Sequence, residues 1–502
     1  MTATTDVAPP SALLDELASW AAALRWSDIP PATRELAQSQ ILSNIAAVRA
    51  SARHPLGRRL VAAFGPPDQR DPKSAAFVLA ALAILLDYDE VSYVGHLSAS
   101  GANVVIAYAA ELGLSGRDAV TAVVAANECA ARVTAATILG PFFRGQTNTH
   151  CHLVGAAVAL LKARNASHEE WVSGLGLALG ILPTPVHDAV LGSDLKALTA
   201  AAPVRMALDA CDAAAAGLTG NATLLDGPDG LLGQLSTVYM PDAVVSGLGE
   251  RWHTDTLAFK RFPASAYAQA ALECAERVHG AVGPLEPSDV TRVRVFGSVL
   301  TWLLDQKVSS HPDGHARSVT AANFSLRYGM AVVLRTGTLR PSDLTPDAIA
   351  DRESANLAAN VVVEHDMELS EKMVRATSPL GQALRQAGRR ALDWPELIAL
   401  GGDDLEGRLL DLGPAEETFE NATMSIGARV EVTLADGRVV IETCDVPTGM
   451  TGSDTRETHR RLVVDKFVGT GGSADTAALL GSLELLDPTS TADVLAAALG
   501  ES

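Results

Sequence analysis

The sequence predicts a mainly α protein: a large helical domain built from both chain ends, with a smaller α+β domain inserted between them. Three observations carry this. First, 48% of the 502 residues are hydrophobic but only 4% aromatic, so the apolar content is largely Ala, Leu and Val, which suits packed helices. Second, apolar residues recur at three- and four-residue spacing in the first half, and the tail reads as helical too. Third, strand signals are confined to a stretch from Val290 to Thr443. The length exceeds what one hydrophobic core ordinarily serves, so more than one domain is expected. The boundaries fall at residues 1–262 and 449–502 for the helical domain and 263–448 for the α+β domain.

In chain order, Leu13, Leu14, Leu17, Trp20, Ala21 and Leu24 mark a first helix. Pro30-Pro31 starts a second, running through Ile41 and Ile45. Ala75 to Leu86 is an apolar run too short for a bilayer and reads as a buried helix. Ala102–Leu112, Ser115–Leu139 and Val154–Ala163 are further apolar helices, with Asn148–His152 as a polar link. Val290–Val299 opens with the alternation of a strand, Asn360–Val363 is a short β-prone run, and the segment from Ala428 is a hairpin turning at Asp436-Gly437. A helical tail from Thr455 through Phe467 to Leu499 is expected to pack back on the first domain. Gly469-Thr470-Gly471-Gly472 lacks the Lys-Ser/Thr of a phosphate loop and reads as a linker.

A formal charge of -20 argues against nucleic-acid binding, which needs phosphate neutralisation, and suits a soluble cytoplasmic enzyme. The five cysteines are odd in number and scattered, which argues against a disulfide framework, a structural zinc site or an iron–sulfur cluster. Met1–Pro10 has no basic start and no apolar core, so no secretory signal is expected. No apolar stretch approaches the roughly 20 residues of a membrane span, so no membrane partner is expected.

The chemistry concentrates at a few charged residues. Asp87-Tyr88-Asp89-Glu90 stands directly after the apolar run, and His96 follows. Carboxylates at a buried helix end are costly unless something positive or hydrogen-bonding answers them. Carboxylate plus imidazole at such a place is material for proton transfer. Only seven of the 39 basic residues are lysines. Lys196 precedes an Ala-rich helix, and Lys260 lies between aromatics at the domain boundary, where small-molecule sites are favoured. An ammonium there can grip a carboxylate. His311 and His315 are four apart, but Pro312 and Gly314 disfavour a helix between them, so no metal site is expected. His315 or Arg317 can reach the site from the inserted domain. No strand–Gly-rich–helix element calls for a dinucleotide cofactor, and no Gly-x-Ser-x-Gly elbow calls for acyl transfer.

These pieces occur in an order that resembles the MmgE/PrpD family, which includes 2-methylcitrate dehydratase, cis-aconitate decarboxylase and iminodisuccinate epimerase. The resemblance rests on Leu86–Glu90 with His96-Leu97-Ser98, Leu114–Ala131, Gly155–Leu161, Lys196, and Phe259–Pro263. Asn323–Tyr328 and Lys466-Phe467 extend it over nearly the whole chain. It implies a helical domain with an α+β lid, a homodimer, and a site at the seam. It implies catalytic roles for Asp87, His96, Lys196 and Lys260, and a cofactor-independent reaction on a small carboxylate. Ser92, Gln146, His150, Thr199 and Arg261 are the expected substrate contacts.

The departures from the family are specific. Gln146 stands where relatives carry a second histidine, and glutamine cannot titrate near neutral pH. His150 and His152 are close enough to substitute, but two residues apart on a helix they face different ways. Val91-Ser92 replaces an expected threonine, Thr199 stands where a histidine is common, and the spacing from Asp87 to His96 is one residue short. The first expectation is a lyase performing elimination or decarboxylation. The second is an epimerase using the same proton abstraction. The third is a catalytically impaired relative with a structural role, favoured by Gln146 and Val91.

Overall fold

The computed structural model of the chain describes residues 12–92, 95–310, 318–394, 407, 409 and 411–500. The fold is mainly helical with one small mixed sheet, as the composition and periodicity predict. Helix α1 (Leu13–Ala23) buries Leu14, Leu17, Ala18 and Ala21, one face at the expected spacing. Helix α2 (Pro31–Arg53) starts on Pro31, where the missing N–H costs nothing. It is buried continuously from Leu36 to Ser51. Helix α3 (Pro72–Leu85) is buried from Ala75 onward except at Phe77. Helices α4 (Gly101–Leu112), α5 (Gly116–Ala135), α6 (His150–Ala163), α7 (His168–Gly180) and α8 (Leu198–Ala215) complete the first group. Helix α5 packs along α6, and α8 lies against α3, α6 and α7. The Ala and Gly content of these helices lets their axes approach closely.

Two boundaries differ from the sequence reading. Helix α5 ends at Ala135 rather than Leu139, because the chain leaves the helix in turns at Ala136–Leu139. Helix α6 begins at His150, so part of the expected polar link is its first turn.

Helix α9 (Gln269–Val282) leads to strand β1 (Val290–Gly297), followed by α10 (Val299–Ser310), α11 (Leu326–Thr336) and β2 (Val361–His365). Strands β3 (Ala428–Leu434) and β4 (Val439–Cys444) form the expected hairpin, with Gly437 at φ +88° in its turn. The sheet order is β2-β1-β3-β4, with β1 parallel to β2 and antiparallel to β3. Val293 and Val295 of β1 are fully buried, opposite Val432 and Val430 of β3, and α9 packs on β3 and β4 while α11 packs on β2. Helix α12 (Ser453–Gly469) then returns to pack along α2, and α13 (Pro488–Gly500) packs on α4. Among the described residues no helix is long and apolar enough to cross a membrane. All five cysteines are buried and free.

Candidate active site

The site begins where α3 stops. A helix end leaves its last carbonyls without partners and carries partial negative charge, so cations and N–H donors are favoured there. Here Asn323 Nδ2 donates to Leu86 O at 3.0 Å, Lys260 Nζ to Asp87 O at 3.1 Å, and Lys466 Nζ to Tyr88 O. The three donors come from three distant segments. They hold Asp87 at φ +52°, a left-handed value that a residue with a Cβ adopts only at a cost. That turn directs the carboxylates into the protein, where Asp87, Asp89 and Glu90 are all buried.

Two short pairings fix what surrounds them. Val91 and Ala258 exchange both backbone hydrogen bonds, at 3.1 and 2.7 Å, which sets the segment of Lys260 beside the turn. Ser92 and Gly95 do the same at 2.9 and 3.1 Å, so the chain reverses and brings His96 back over the carboxylates. Phe259 N–H donates to Gly449 O at 2.7 Å, tying the Lys260 segment to the start of the tail.

The result is one charged cluster. Asp87 Oδ1 lies 2.7 Å from Lys196 Nζ, 3.3 Å from Lys260 Nζ and 3.7 Å from His96 Nε2. Asp89 Oδ2 lies 2.8 Å from His96 Nδ1, and its other oxygen is 3.9 Å from Lys260. Lys466 lies 3.9 Å from Glu90 and 2.8 Å from Ser43 Oγ. Burial pushes the Asp87 carboxyl up, but Lys196, Lys260 and His96 outweigh it and hold it well below the usual carboxylate range. Asp89 is likewise low, because His96 and Lys260 outweigh burial. Glu90 moves the other way: burial raises it in spite of Lys466. Burial lowers Lys196, against the pull of Asp87, and lowers Lys466 to about 8 against Glu90. Asp87 is therefore an anion that organises ammonium groups, and a weak base.

The cluster opens into a cavity of about 220 Å³. Asp87, His96, Lys196 and Lys260 all line it, as do Ser92 and Thr199. Gln146, His150 and Arg261 are not among the lining residues, which differs from the sequence expectation for each. The reasons are geometric. Lys260 and Arg261 are neighbours where the chain enters a bend over residues 261–264, and their side chains part there. Lys260 enters the cluster while Arg261 pairs with Glu276 at 2.8 Å. On α6, His152 faces the cavity and His150 turns into the core, where Thr137 bonds its Nε2 at 3.0 Å. The backbone of Gln146 bonds Pro141 and bridges to Val186. His311, His315 and Arg317 lie outside the described residues.

Several lining or supporting groups escaped the sequence reading. Asp89, rather than Asp87, is the hydrogen-bond partner of His96 Nδ1. His187 and Lys307 line the cavity from other elements, and Lys466 backs the turn from α12. The signal that points to them is the scarcity of lysine: four of the seven lysines lie at or behind this one cavity.

Asp87, Asp89 and His96 bring their ligand atoms within 4.8 Å of one another, a grouping that could in principle hold a cation. Lys196 and Lys260 already stand within 3.3 Å of the same Asp87 oxygen, so a metal ion would have to displace two ammonium groups. The donor set suits an internal ion cluster better than a metal site.

Comparison with curated proteins gives no match. Two family models do match the chain: the MmgE/PrpD N-terminal domain over residues 15–242 and the MmgE/PrpD C-terminal domain over residues 262–394. Together they span most of the sequence, the first containing Asp87, His96 and Lys196 and the second starting two residues after Lys260, and on that ground the chain belongs to the MmgE/PrpD family.

Proposed function

We propose that the protein is a cofactor-independent lyase that removes a proton from carbon beside a carboxylate of a small substrate. Membership of the family supports a dehydratase or lyase type of activity. The observation that carries the finer reading is His96, held between two buried carboxylates and beside two buried lysines on one cavity wall.

With Nδ1 bonded to Asp89, the imidazole keeps its proton there and presents Nε2 as the acceptor. His96 Nε2 takes the substrate proton, and Asp89 stabilises the imidazolium that forms. As the proton leaves, charge moves onto the oxygens of the neighbouring carboxylate. Lys196 and Lys260 are already fixed by Asp87, so they meet that charge without reorganising. Departure of a β-hydroxyl completes a dehydration. Loss of carbon dioxide would instead leave its electron pair on that carbon, with Lys196 and Lys260 holding the charge on the neighbouring carboxylate and a protonated His96 delivering the proton that completes the product. The same reading takes residues 263–448 as a lid over a helical body formed by 1–262 and 449–502, and takes the active species as a homodimer.

Epimerisation is the second reading, favoured by a specific observation. His96, His152 and His187 all line the cavity, so a proton taken by one imidazole can be returned by another. Burial lowers His152 to about 3 and His187 to about 4, so each starts neutral and can take the proton, while the imidazolium that returns one to the opposite face is His96, stabilised by Asp87 and Asp89.

The test is proton NMR of the full chain in deuterium oxide with citrate, 2-methylcitrate, cis-aconitate and iminodisuccinate, beside Lys260→Ala. An olefinic or decarboxylated product that the variant does not form supports the lyase. Deuterium entry or inversion without an olefin replaces it with the epimerase. No reaction and no exchange across the panel refutes proton abstraction from these carboxylates.

A further inference from the structure

The chemistry above uses one charged wall of the cavity. Another part of the wall is apolar and is organised apart from the main core. Val91, Ala258, Met424, Ile426 and Met450 form a small buried cluster of their own, with Ala266 and Tyr267 packed against it. Satellite clusters of this kind commonly lie under long loops. This one faces the cavity: Val91, Ala266, Tyr267, Met424 and Ile426 all line it.

The patch is preformed from three distant segments. The paired backbones of Val91 and Ala258 join two of them. Met424 N–H donates to Thr451 O at 2.8 Å, and Thr451 Oγ1 donates to Thr256 O at 2.7 Å, which ties in the third. It begins beside the charged wall, because Val91 directly follows the acidic turn and Ala258 is two residues before Lys260. Its electrostatic character is nevertheless different. Burial alone pushes the Tyr267 hydroxyl up to about 12, whereas Asp87 is governed by Lys196, Lys260 and His96 as well. Leu300 and Leu304, four apart on one face of α10, add to the apolar lining. Lys307 also lines the cavity, and its Nζ is engaged by His187 Nδ1 at 3.0 Å. A charged substrate group set on the patch would lose its hydration without a partner, while an alkyl group gains by leaving water. Met424, with an unbranched and adaptable side chain, suits such a group. Met424, Ile426 and Met450 lie beyond residue 394, so they are outside what either family model matches.

We propose that the substrate is amphiphilic: its carboxylate lies at Lys196 and Lys260, and an unbranched alkyl tail docks on Val91, Tyr267, Met424 and Ile426. A cavity of about 150 Å³ holds a benzene ring, so one of about 220 Å³ has room for a carboxylate and a tail of about five carbons. The inference rests on the proposed carboxylate chemistry for the head group alone.

The test uses saturated, unreactive ligands and does not depend on turnover. Calorimetric titration of the full chain compares straight-chain monocarboxylates from acetate to octanoate with neutral alkanols of the same lengths. Acid affinity is expected to rise roughly three- to fourfold per methylene and to stop rising near hexanoate, where the cavity is full. The alkanols should follow the same slope from a weaker start. Val91→Thr and Met424→Gln keep the shape but set polar atoms on the patch, so the gain per methylene should shrink. Ala266→Phe fills the space, so the break should move to a shorter acid. A variant that is merely less stable weakens every acid by one factor and leaves slope and break in place. A flat series in the parent chain, or an unchanged slope and break in all three folded variants, overturns the proposal. Alkanols that bind as tightly as the acids would instead remove the carboxylate head, and the reaction built on it, and leave the tail subsite standing.

Discussion

Replacing Asp89 by Asn tests the assignment of His96 as base most directly. The amide keeps the shape and can still accept from Nδ1, but it no longer answers the positive charge that His96 gains in the transition state. The Asp89 oxygen and the imidazole nitrogen are 2.8 Å apart. Two unit charges at that distance interact by about 6 kcal/mol at an effective dielectric of about 20. Three things return part of this. Asp87 remains 3.7 Å from the other ring nitrogen, the His96 side chain is 26% exposed so water screens it, and the amide dipole still points at the ring. Retaining about half of the interaction leaves a loss of roughly 3 kcal/mol, about two powers of ten in rate. The assay is the initial rate of product formation or solvent deuterium entry by NMR, with the reacting carboxylate of the panel. Circular dichroism melting of each variant guards against unfolding. The double variant with His96→Gln should be no slower than His96→Gln alone, because the two residues act as one unit. An Asp89→Asn protein within threefold of the parent rate would refute the dyad.

Three further outcomes are expected. Lys196→Met leaves a buried carboxylate short of one partner and should cost about 3 kcal/mol, while the double variant with Asp87→Asn should cost less than the single; denaturant unfolding measures both, and strict additivity would deny the coupling. His150 has its folded pKa lowered by burial to about 4, so the unfolded state binds more protons between that value and 6.5 and stability falls as pH drops through this window. His150→Asn should therefore recover about 2 kcal/mol of the loss between pH 7 and pH 5, seen as a smaller shift in denaturant midpoint. Gly449 has φ +86°, and an added Cβ would come within 2.1 Å of Phe259 O; Gly449→Ala should displace the Lys260 segment and abolish activity, which a wild-type rate in the soluble variant would contradict.

What the sequence made legible follows from what is periodic. Helices α1 to α3 and the β3–β4 hairpin are marked by spacing and by turn residues, so their places could be read locally. Helix ends were less legible: α6 begins at His150 because tertiary packing recruits a polar stretch that carries no apolar pattern. The cluster of Asp87, His96, Lys196 and Lys260 was legible only as an ordered set, since no one motif brings them together. One local rule would have sorted neighbours: helical phase separates His152 from His150, whereas Lys260 and Arg261 part at a bend that carries no periodic signal. His187 and Lys307 were invisible because each is a single residue without local pattern, and their meeting is decided by tertiary contacts alone. Asp89 was on the page as part of the acidic run, but which carboxylate of that run meets the imidazole depends on the left-handed turn at Asp87.

The donation from Lys466 to Tyr88 O reaches beyond catalysis. Both family matches end by residue 394, yet β3, β4, Gly449 and Lys466 come later. On the ribosome, the acidic turn therefore emerges long before the ammonium that caps it. Until α12 docks on α2, a nascent chain holds Glu90 without its cation, and a chain stopped at residue 394 also has only two of the four strands of the sheet. Premature termination after the family domains should give an inert polypeptide prone to quality control, rather than a slow enzyme. Shortening a gene to its recognisable domains would discard part of the scaffold beneath the active site.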